Sequence, residues 1–503
     1  VEHRSNLAHA WHPAMRRSDI NMLRFLAGAI AACTTSTAVA QSDPGPDDLV
    51  LDEIIVTATK RPVGLQDVPV ALSVITGDKI EAMGMAELED LALYVPNVHI
   101  GKGAVTSLLF IRGVGSGMNP GFEQSVGTFV DSVYFGRGAY SRAAFLDLER
   151  VEVLKGPQLT LFGKNTIAGA LNITTAQPTE AFERYVEAAF ESEVDGVGVS
   201  AVLSGPLSDT VRVRVAARKS DDEGWMTNTA VGGVGGPEED NLAIRGTLEW
   251  DASESLVFTL KAERNRYDVR GREQMISIAN PTAAILYRTF GDAAFSPGFD
   301  YVRNARTSVQ PEFHDIEASV VQLTALYDWG DLAVTSITAV TGYDYRDSGD
   351  GDYSALHFLE RSRIEEHDQF SQEFLLTSPR GDAIDFLAGV YFQTADLTSD
   401  RITPARFTGL PPVDAGVRAQ IDAVLATNLQ AGDIDADMFA FFDQDTSTIS
   451  AFGEFTFNLR DDFRIVTGLR YSKDEKEVSK SGFQSQVGST TPDPLLAVIY
   501  GPI

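Results

Sequence analysis

The stretch that decides the fold runs from Leu146 to Pro178 and reads LDLERVEVLKGPQLTLFGKNTIAGALNITTAQP. Residues 148–154 alternate apolar with charged side chains, which predicts a half-buried strand with its charges on one face. Gly156-Pro157 ends that strand, and two later glycines permit tight turns. Residues 170–175 then form a second, β-branched extended run. The stretch therefore predicts two strands joined by glycine-containing turns.

The same residues resemble the end of the plug domain of TonB-dependent outer-membrane receptors. In that family a VEVLKGP-like strand precedes an LFG-N-x-x-GA-NI-T segment, and the match here spans Val151 to Thr175. The triplet Ile111-Arg112-Gly113 is another motif that the family shares. The resemblance implies a mostly β fold, an antiparallel transmembrane β-barrel preceded by a small α/β plug domain, and the eleven strands predicted in residues 179–503 make this barrel incomplete, about half. The resemblance also implies a structural motif of the plug made by Arg112, Gly113, Gly156, Pro157, Gly163, Gly169 and Asn172.

Composition excludes some classes of protein. Acidic residues outnumber basic ones 71 to 41 in 503 residues, and the net charge of −30 disfavours nucleic acid as a partner, because phosphate binding needs a cationic face. The mean hydropathy of −0.07 and the lack of any run of 18 apolar residues argue against a helical membrane protein. A membrane barrel stays possible, since its strands are only half apolar.

Residues 1–40 are expected to be a leader with a signal peptide. Arginines at 16, 17 and 24 precede the apolar run Phe25–Ala32, and Ala38-Val39-Ala40 resembles a cleavage site. A buried N-terminal helix and a lipoprotein site at Cys33 are the alternatives. Cys33 is the one cysteine of the sequence, so a chain without its leader has no thiol chemistry.

Residues 41–62 are expected to form a flexible periplasmic tail. Within it lies a short β-prone run that is suited to adding an edge strand to a partner's sheet. The run resembles the TonB box, which implies that TonB, with its inner-membrane energising complex, binds there. The alternative is that the run is the first strand of the next domain. The predicted TonB-binding residues are Asp52, Glu53, Ile54, Ile55, Val56, Thr57, Ala58 and Thr59.

Residues 63–178 are the predicted plug domain. Asp78 and Glu81 form a plausible capping box at the start of a helix. A second helical turn over residues 86–94 should end before Pro96. Strands are predicted over residues 70–75, 108–113 and 127–134.

Residues 179–503 are the predicted partial transmembrane barrel. Two-residue alternation marks eleven strands, and long and short connections follow one another in turn. In an antiparallel meander this places the long connections on one side, as in outer-membrane barrels with long outer loops. The predicted strands cover 185–191, 199–203, 211–215, 244–250, 256–261, 321–327, 332–345, 370–377, 386–393, 451–459 and 464–471.

The charged positions of these strands should face the lumen, because a cation at the bilayer midplane costs about 2–4 kcal/mol. Arg212, Arg214, Arg245 and Glu249 are the examples. Their charges are expected to be solvated there, or to pair with plug residues such as Arg112, Glu149, Arg150, Glu152 and Lys155. Trp250, Tyr327 and Trp329 stand next to short turns, where an aromatic girdle is expected.

No catalytic constellation, cofactor motif or metal-ligand spacing occurs in the sequence, so an enzyme is not predicted. The candidate ligand-binding residues lie on the upper loops of the plug: Phe122, Tyr134, Arg137, Tyr140 and Arg142. They offer aromatic stacking and cationic recognition of an anionic chelate. The alternative is that they pack the plug against the barrel wall.

The resemblance implies TonB-dependent active transport of a scarce ligand across the Gram-negative outer membrane. It favours a ferric siderophore; haem, cobalamin and oligosaccharides stay open. A passive porin, a signalling receptor and an outer-membrane hydrolase are alternatives, and the acidic residues of 220–241 suggest cation-bridged contact with lipopolysaccharide. Large plugged transporters have 22 strands and eleven are found, so a truncated, non-functional receptor fragment or a frameshifted gene is also expected.

Overall fold

The fold is described from a computed structural model. It describes residues 54–102, 107–117, 122–138, 145–228, 234–272, 284–285, 288, 305–306, 312–354, 359–406, 435–460, 462–487, 489 and 491. The predicted leader, the tail as far as Leu51, and Asp52 and Glu53 lie outside these residues. Among the described residues, no helix is both long and apolar enough to cross a membrane.

The first part of the chain is a small α/β unit. Its strands are β1 (Ile55–Val56), β2 (Val63–Gly64), β3 (Leu72–Thr76), β4 (Val98–Lys102), β5 (Ser107–Ile111), β6 (Val114–Gly115), β7 (Val126–Val130), β8 (Val133–Phe135), β9 (Leu148–Lys155) and β10 (Gly169–Thr175). Its helices are α1 (Gly77–Ala82), α2 (Leu91–Tyr94) and α3 (Leu159–Phe162), with 3₁₀ turns at Leu65–Asp67 and Leu88–Asp90.

Strand β9, which contains the motif VEVLK, lies in the interior of the five-stranded sheet of this unit. It pairs antiparallel with β3 on one side and with β10 on the other, within the sheet order β3-β9-β10-β7-β8. Residues Val151–Leu154 are all buried, including Glu152. The prediction of two strands is confirmed, but that of a half-buried strand is wrong. Both faces of β9 are covered, so Glu152 has to be satisfied by hydrogen bonds instead of water.

Two local predictions for the plug are also wrong. Thr76, not Asp78, precedes the first turn of α1, and no side chain caps that helix. The capping box belongs to Glu87 and Asp90, at the start of the next helical turn. The run predicted as one strand over residues 127–134 is a hairpin, because Asp131 and Ser132 both adopt positive φ and reverse the chain.

Most of the described residues after the plug form one antiparallel sheet of eleven strands, as predicted, and these strands are longer than the sequence indicated. They are β11 (Glu183–Glu191), β12 (Gly196–Ser208), β13 (Val211–Asp222), β16 (Glu238–Ser253), β17 (Leu256–Arg270), β19 (Phe313–Trp329), β20 (Leu332–Asp350), β21 (Glu360–Thr377), β22 (Ile384–Ala405), β23 (Ala436–Arg460) and β24 (Phe463–Ser485). The short strands β14 (Met226–Asn228), β15 (Val234–Gly236) and β18 (Ala305–Arg306) pair with each other beside this sheet. We call the eleven-stranded sheet the wall.

Along the strands of the wall the polar side chains are buried and the apolar ones are exposed, which is the reverse of a sheet in a water-soluble protein. On β19, Gln322 is buried, whereas its neighbours Val321 and Leu323 are 50% and 42% exposed. Polar side chains therefore face inward and apolar ones outward, which suits a sheet with lipid outside and a plug inside. Trp250, Tyr327 and Trp329 are exposed near the short turns.

The plug packs on the inner face of the wall. One apolar cluster contains plug residues such as Leu109 and Val151 together with wall residues such as Ile316 and Ile337. In the described part of the sheet, β11 and β24 are its two edges and are not paired with each other. The wall is therefore an open, incomplete barrel, as the sequence predicted.

Candidate functional site: the seam between plug and wall

The predicted TonB-box run lies against the plug in this structure. Ile55 and Val56 pair with Gly64 and Val63, so the run forms a two-stranded hairpin. Val56 and Ala58 are buried in an apolar cluster with plug and wall residues, whereas Ile54 and Ile55 are exposed. One side of the run is therefore packed and the other is accessible.

Thr57 connects this run to strand β9 by hydrogen bonds. Its backbone N–H donates to Oε1 of Glu152 at 2.8 Å, and its hydroxyl oxygen lies 3.2 Å from the same carboxylate oxygen. Asn172 Nδ2 donates to Thr57 Oγ1 and to Glu152 Oε2, both at 3.1 Å. Arg150 Nε donates to Glu152 Oε1 at 2.8 Å. The buried carboxylate thus accepts hydrogen bonds from three residues, and one of them, Thr57, belongs to the predicted TonB box.

Lys60, just after the run, connects it to the wall. Its Nζ forms an ion pair with Glu373 of β21, and both side chains are nearly inaccessible to solvent. The ammonium also lies 5.3 Å from the centre of the Phe452 ring on β23. The sequence did not single out Lys60 or Glu373, because they are 313 positions apart and no local pattern joins them.

The five candidate ligand-binding residues do not share one environment. Phe122 is 69% exposed, as a ligand contact requires, whereas Tyr134 on β8 is buried. Arg137 Nη2 forms an ion pair with Glu365 Oε1 of β21 at 2.8 Å, and its Nε donates to the Tyr343 hydroxyl at 3.3 Å. Tyr140 and Arg142 lie outside the described residues. In this structure Tyr134 and Arg137 join plug to wall.

The electrostatics of Arg137 and Tyr134 agree with that role. Burial lowers the pKa of Arg137, but Tyr343 and Glu365 outweigh it and leave the pKa above its ordinary value. Burial, with Glu123 nearby, raises the pKa of Tyr134 well above its ordinary value, so the phenol is neutral and accepts a hydrogen bond from Asn165 Nδ2 at 2.8 Å.

Sequence patterns did not indicate a role for Glu123, the charged residue next to Phe122. Glu123 forms an ion pair with Lys164 at 3.4 Å, and Lys164 also donates to Thr448 of β23 at 3.2 Å. Burial raises the pKa of Glu123, but Lys164 and Lys476 outweigh it and hold that pKa below its ordinary value. The lysine of the LFGKN segment was the available signal, since a charge within a buried motif requires a partner.

The structural motif of the plug lies around the chain reversals beside β9 and β10. Gly169 has φ +155°, and a Cβ there would lie 2.3 Å from the carbonyl oxygen of Leu154. Gly163 has φ +80°, and its Cβ would lie 2.6 Å from the Arg470 guanidinium of the wall. Arg112, Gly113 and Gly156 also have positive φ. Pro157 follows β9, and Asn172 lies in β10, where it contacts Glu152.

The predicted pairing of lumen charges is only partly right. Arg214 forms two hydrogen bonds of 2.7 Å with the carboxylate of Asp147, a plug residue that the sequence did not propose. Arg245 donates to the backbone oxygen of Asp147 at 3.3 Å and pairs with Glu263 of the wall. The prediction that the plug partners are Arg112, Glu149, Arg150, Glu152 and Lys155 is wrong for these two arginines. Arg150 pairs instead with Glu149 and Glu152 inside the plug, and Arg212 pairs with Glu249 and Asp251 inside the wall.

Another connection between plug and wall lies at the hairpin of β7 and β8. Lys261 of β17 forms an ion pair with Asp131, and Gln322 of β19 donates to the backbone oxygen of Asp131 at 3.0 Å. Burial raises the pKa of Asp131, but Lys261 and two hydrogen bonds from Thr175 outweigh it, so the pKa lies below its ordinary value. The interface between plug and wall therefore contains several buried charge pairs.

The fold and the seam define the class of protein: an outer-membrane β-barrel with a plug on its inner face. Residues 64–170 match the family model of the TonB-dependent Receptor Plug Domain. The chain is 27% identical over 245 residues to the pesticin receptor of Yersinia pestis, covering 45% of this chain and 36% of that protein. It is 20% identical over 307 residues to the vitamin B12 transporter of Vibrio vulnificus, covering 58% of this chain and 49% of that protein.

Solved structures give the same fold. The ferric yersiniabactin uptake receptor of Yersinia pestis superposes with a TM-score of 0.65 at 19% identity, covering 83% of this chain and 60% of that one. The ferripyoverdine receptor of Pseudomonas aeruginosa has a TM-score of 0.63 at 17% identity, covering 86% of this chain and 55% of that one.

These findings identify residues 64–170 as a TonB-dependent receptor plug domain, and they show that the wall has the fold of part of the barrel in the solved outer-membrane receptors. The chain matches about a third to a half of the length of the two sequence relatives described above.

Proposed function

We propose that this chain takes part in TonB-dependent active transport of a scarce ligand across the outer membrane. In this proposal TonB engages residues Asp52–Thr59, and force on that run displaces part of the plug so that the ligand passes the wall. The chain acts as a transport receptor, not as an enzyme, and no cofactor takes part.

The observation that carries the proposal is the contact between Thr57 and Glu152. It joins the predicted TonB box to strand β9 of the plug through a carboxylate that is fully buried. A pull on residues 54–57 would therefore act directly on β9. Among the described residues β1 is paired with β2 alone, so its other edge can take an added strand.

We propose a ferric chelate, with a ferric siderophore as the first choice, as the ligand. Solved structures with this fold carry names of iron uptake, among them the ferric yersiniabactin and ferripyoverdine receptors. A relative of comparable similarity is a vitamin B12 transporter, so cobalamin is the second choice. Phe122 and Arg142 are the proposed ligand contacts, with Tyr134, Arg137 and Tyr140 shaping the site around them. Lipid and lipopolysaccharide are the proposed surroundings of the wall.

We place the plug at residues 63–178 and the wall at residues 179–503. Strand bounds support these limits, since β10 ends at Thr175 and β11 begins at Glu183. We assign residues 1–40 to a leader and residues 41–62 to the tail with the TonB box, on composition.

The test is the substitution Ile54→Pro in the full-length protein, with Val50→Pro as the matched control. Proline removes one backbone donor from the run without adding charge, and it cannot take part in a ladder at that position. We expect Ile54→Pro to abolish binding of the periplasmic domain of TonB and uptake of ferric chelates, while Val50→Pro retains both. Amounts in the outer membrane are measured by immunoblot.

The same experiment separates the passive porin from the receptor. A porin needs no TonB, so uptake that survives both Ile54→Pro and deletion of residues 52–59 would replace the proposed function with passive diffusion. Loss of uptake with retained expression supports the receptor.

A further inference from the structure

Three arginines on the inward face of the wall form a group that we call the arginine patch: Arg361 and Arg363 on β21, and Arg401 on β22. Arg363 and Arg401 stand directly opposite each other in the register of the two strands. Arg361 is two positions from Arg363, so the three side chains share one face of the sheet. The buried residues Glu365 and Ser399 lie on the same face, which is therefore the inward one.

The arginine patch lies at the ends of β21 and β22 that adjoin long connections. The two strands are joined by the short connection 378–383, and the patch is at their opposite ends, next to the connections 351–359 and 406–435. Long connections are the outer loops in barrels of this class. Arg401 is exposed, and Glu365, next to the patch, pairs with Arg137 of the plug. Arg401 is therefore accessible to a soluble group at the border of the candidate ligand site.

The two carboxylates beside the patch are each shared between two arginines. The pairs are those of Asp347 with Arg272 and with Arg361, and those of Glu365 with Arg137 and with Arg363. Asp347 lies on β20, directly opposite Arg363. Each carboxylate carries a single charge, and neither of the two forms an ion pair with Arg401. The positive charge of the patch is therefore only partly neutralised by these two groups.

The guanidinium of Arg401 has no anionic partner among the residues that the structure describes. The neighbouring charges that act on it are those of Arg363 and Arg361, and both are positive. Arg363 donates through Nε to Ser399 Oγ at 3.1 Å and pairs with Glu365, so its position is fixed. Like charges directly opposite each other on neighbouring strands destabilise a sheet. An anion bound between Arg363 and Arg401 would remove this repulsion.

We propose that the arginine patch binds a carboxylate group of the transported ligand, and that Arg401 donates the hydrogen bonds to it. A planar guanidinium matches the two oxygens of a carboxylate, and Arg361 and Arg363 add positive charge beside it. The chain has a net charge of −30, so it repels anions elsewhere and a local group of cations selects where they bind. The inference rests on the proposed function only in calling the bound molecule a transported ligand.

The test uses the purified full chain in detergent, with citrate as the probe and trimethyl citrate as its uncharged counterpart. Binding is measured by isothermal titration calorimetry at constant ionic strength. We expect citrate to bind at least tenfold more tightly than the ester, because the guanidinium groups act on the carboxylates alone. Arg401→Gln should weaken the binding of citrate roughly tenfold, since it removes charge-assisted hydrogen bonds. Arg361→Gln, which removes a neighbouring charge, should weaken it in the same direction.

The matched control is Arg464→Gln. It removes the same charge from an exposed position of β24, next to the short turn between Arg460 and Phe463 at the other end of the wall. This variant should bind citrate like the wild type. The melting temperature gives a second readout: citrate should raise it for the wild type and not for Arg401→Gln. Without citrate, Arg401→Gln should melt no lower than the wild type, because it loses a repulsive contact.

Absence of citrate binding would overturn the proposal, and so would equal binding by the wild type and both patch variants. A lower melting temperature of Arg401→Gln without citrate would make this arginine a structural residue and overturn the proposal as well. Inorganic phosphate is titrated in parallel. If it binds tenfold more tightly than citrate and both patch variants lose it, the patch binds a phosphate group, such as those of lipopolysaccharide, and the carboxylate is refuted. Because these measurements need no TonB, the arginine patch and the transport function can fail separately.

Discussion

Replacing Glu152 by glutamine should release the predicted TonB box from the plug. In the wild-type protein the carboxylate accepts hydrogen bonds from the Thr57 backbone, from Arg150 and from Asn172, at 2.8, 2.8 and 3.1 Å. Glutamine keeps the shape but has one acceptor oxygen, and its amide group would face donors. A hydrogen bond to a charged group contributes about 1.5–3 kcal/mol. The Thr57 contact should weaken by roughly that amount.

The expected consequence is a rise in local opening of residues 55–59. At about 1.4 kcal/mol for each factor of ten, the open population should rise roughly ten- to hundredfold. Hydrogen-exchange mass spectrometry of the full-length protein measures it directly, because the Thr57 amide is itself a donor to Glu152. Peptides that cover residues 54–62 should exchange faster, while those that cover β10 change little.

Glu149→Gln is the matched control for this experiment. Glu149 lies on the same strand and pairs with the same arginine, but its side chain is 46% exposed and does not contact Thr57. The change in charge is identical. Unchanged exchange in Glu152→Gln, or an equal acceleration in Glu149→Gln, would refute the reasoning that the buried carboxylate holds the TonB box.

Three further predictions concern charge pairs and pH. Arg137→Gln removes one of the two arginines that pair with the buried carboxylate of Glu365, the other being Arg363. Because a hydrogen bond to a charged group contributes about 1.5–3 kcal/mol, the seating of the plug should be destabilised by roughly that amount, measured by urea-induced release of the plug, with a partly restored value in the double variant with Glu365→Gln. Burial and a neighbouring carboxylate raise the pKa of Asp352 to about 7. The folded protein therefore binds more protons at this site than the unfolded chain between about pH 4 and 7. Protease resistance of residues 350–354 should fall as pH rises through that window, and Asp352→Asn should remove the dependence. Because the pKa of Asp131 is lowered, its contribution to stability is present above the ordinary pKa of an aspartate and is lost as pH falls; Lys261→Met should therefore raise the midpoint of acid unfolding, followed by tryptophan fluorescence.

The architecture could be predicted from the sequence because it depends on short-range patterns. Alternation with a period of two marks each strand of the wall wherever it occurs, and all eleven were found. The order of long and short connections fixed which strand ends share a side. The motif from Val151 to Thr175 marked the plug, and the family match over residues 64–170 confirmed it.

The sequence predicted the lengths of the strands less accurately than their number and order. β23 runs from Ala436 to Arg460, whereas alternation was clear only from residue 451. In the missed part of this strand residues 438–442 are all apolar and residues 443–448 are all polar, so no two-residue pattern is visible there while the hydrogen-bonded ladder continues.

By itself, then, the sequence determined the class of fold, the number of wall strands and the position of the plug. Only the tertiary structure decided how the charges pair, as in Lys60 with Glu373 and Arg214 with Asp147. These pairs join residues 313 and 67 positions apart. Their geometry depends on the register of the wall and on the seating of the plug, and no local pattern of side chains encodes either one.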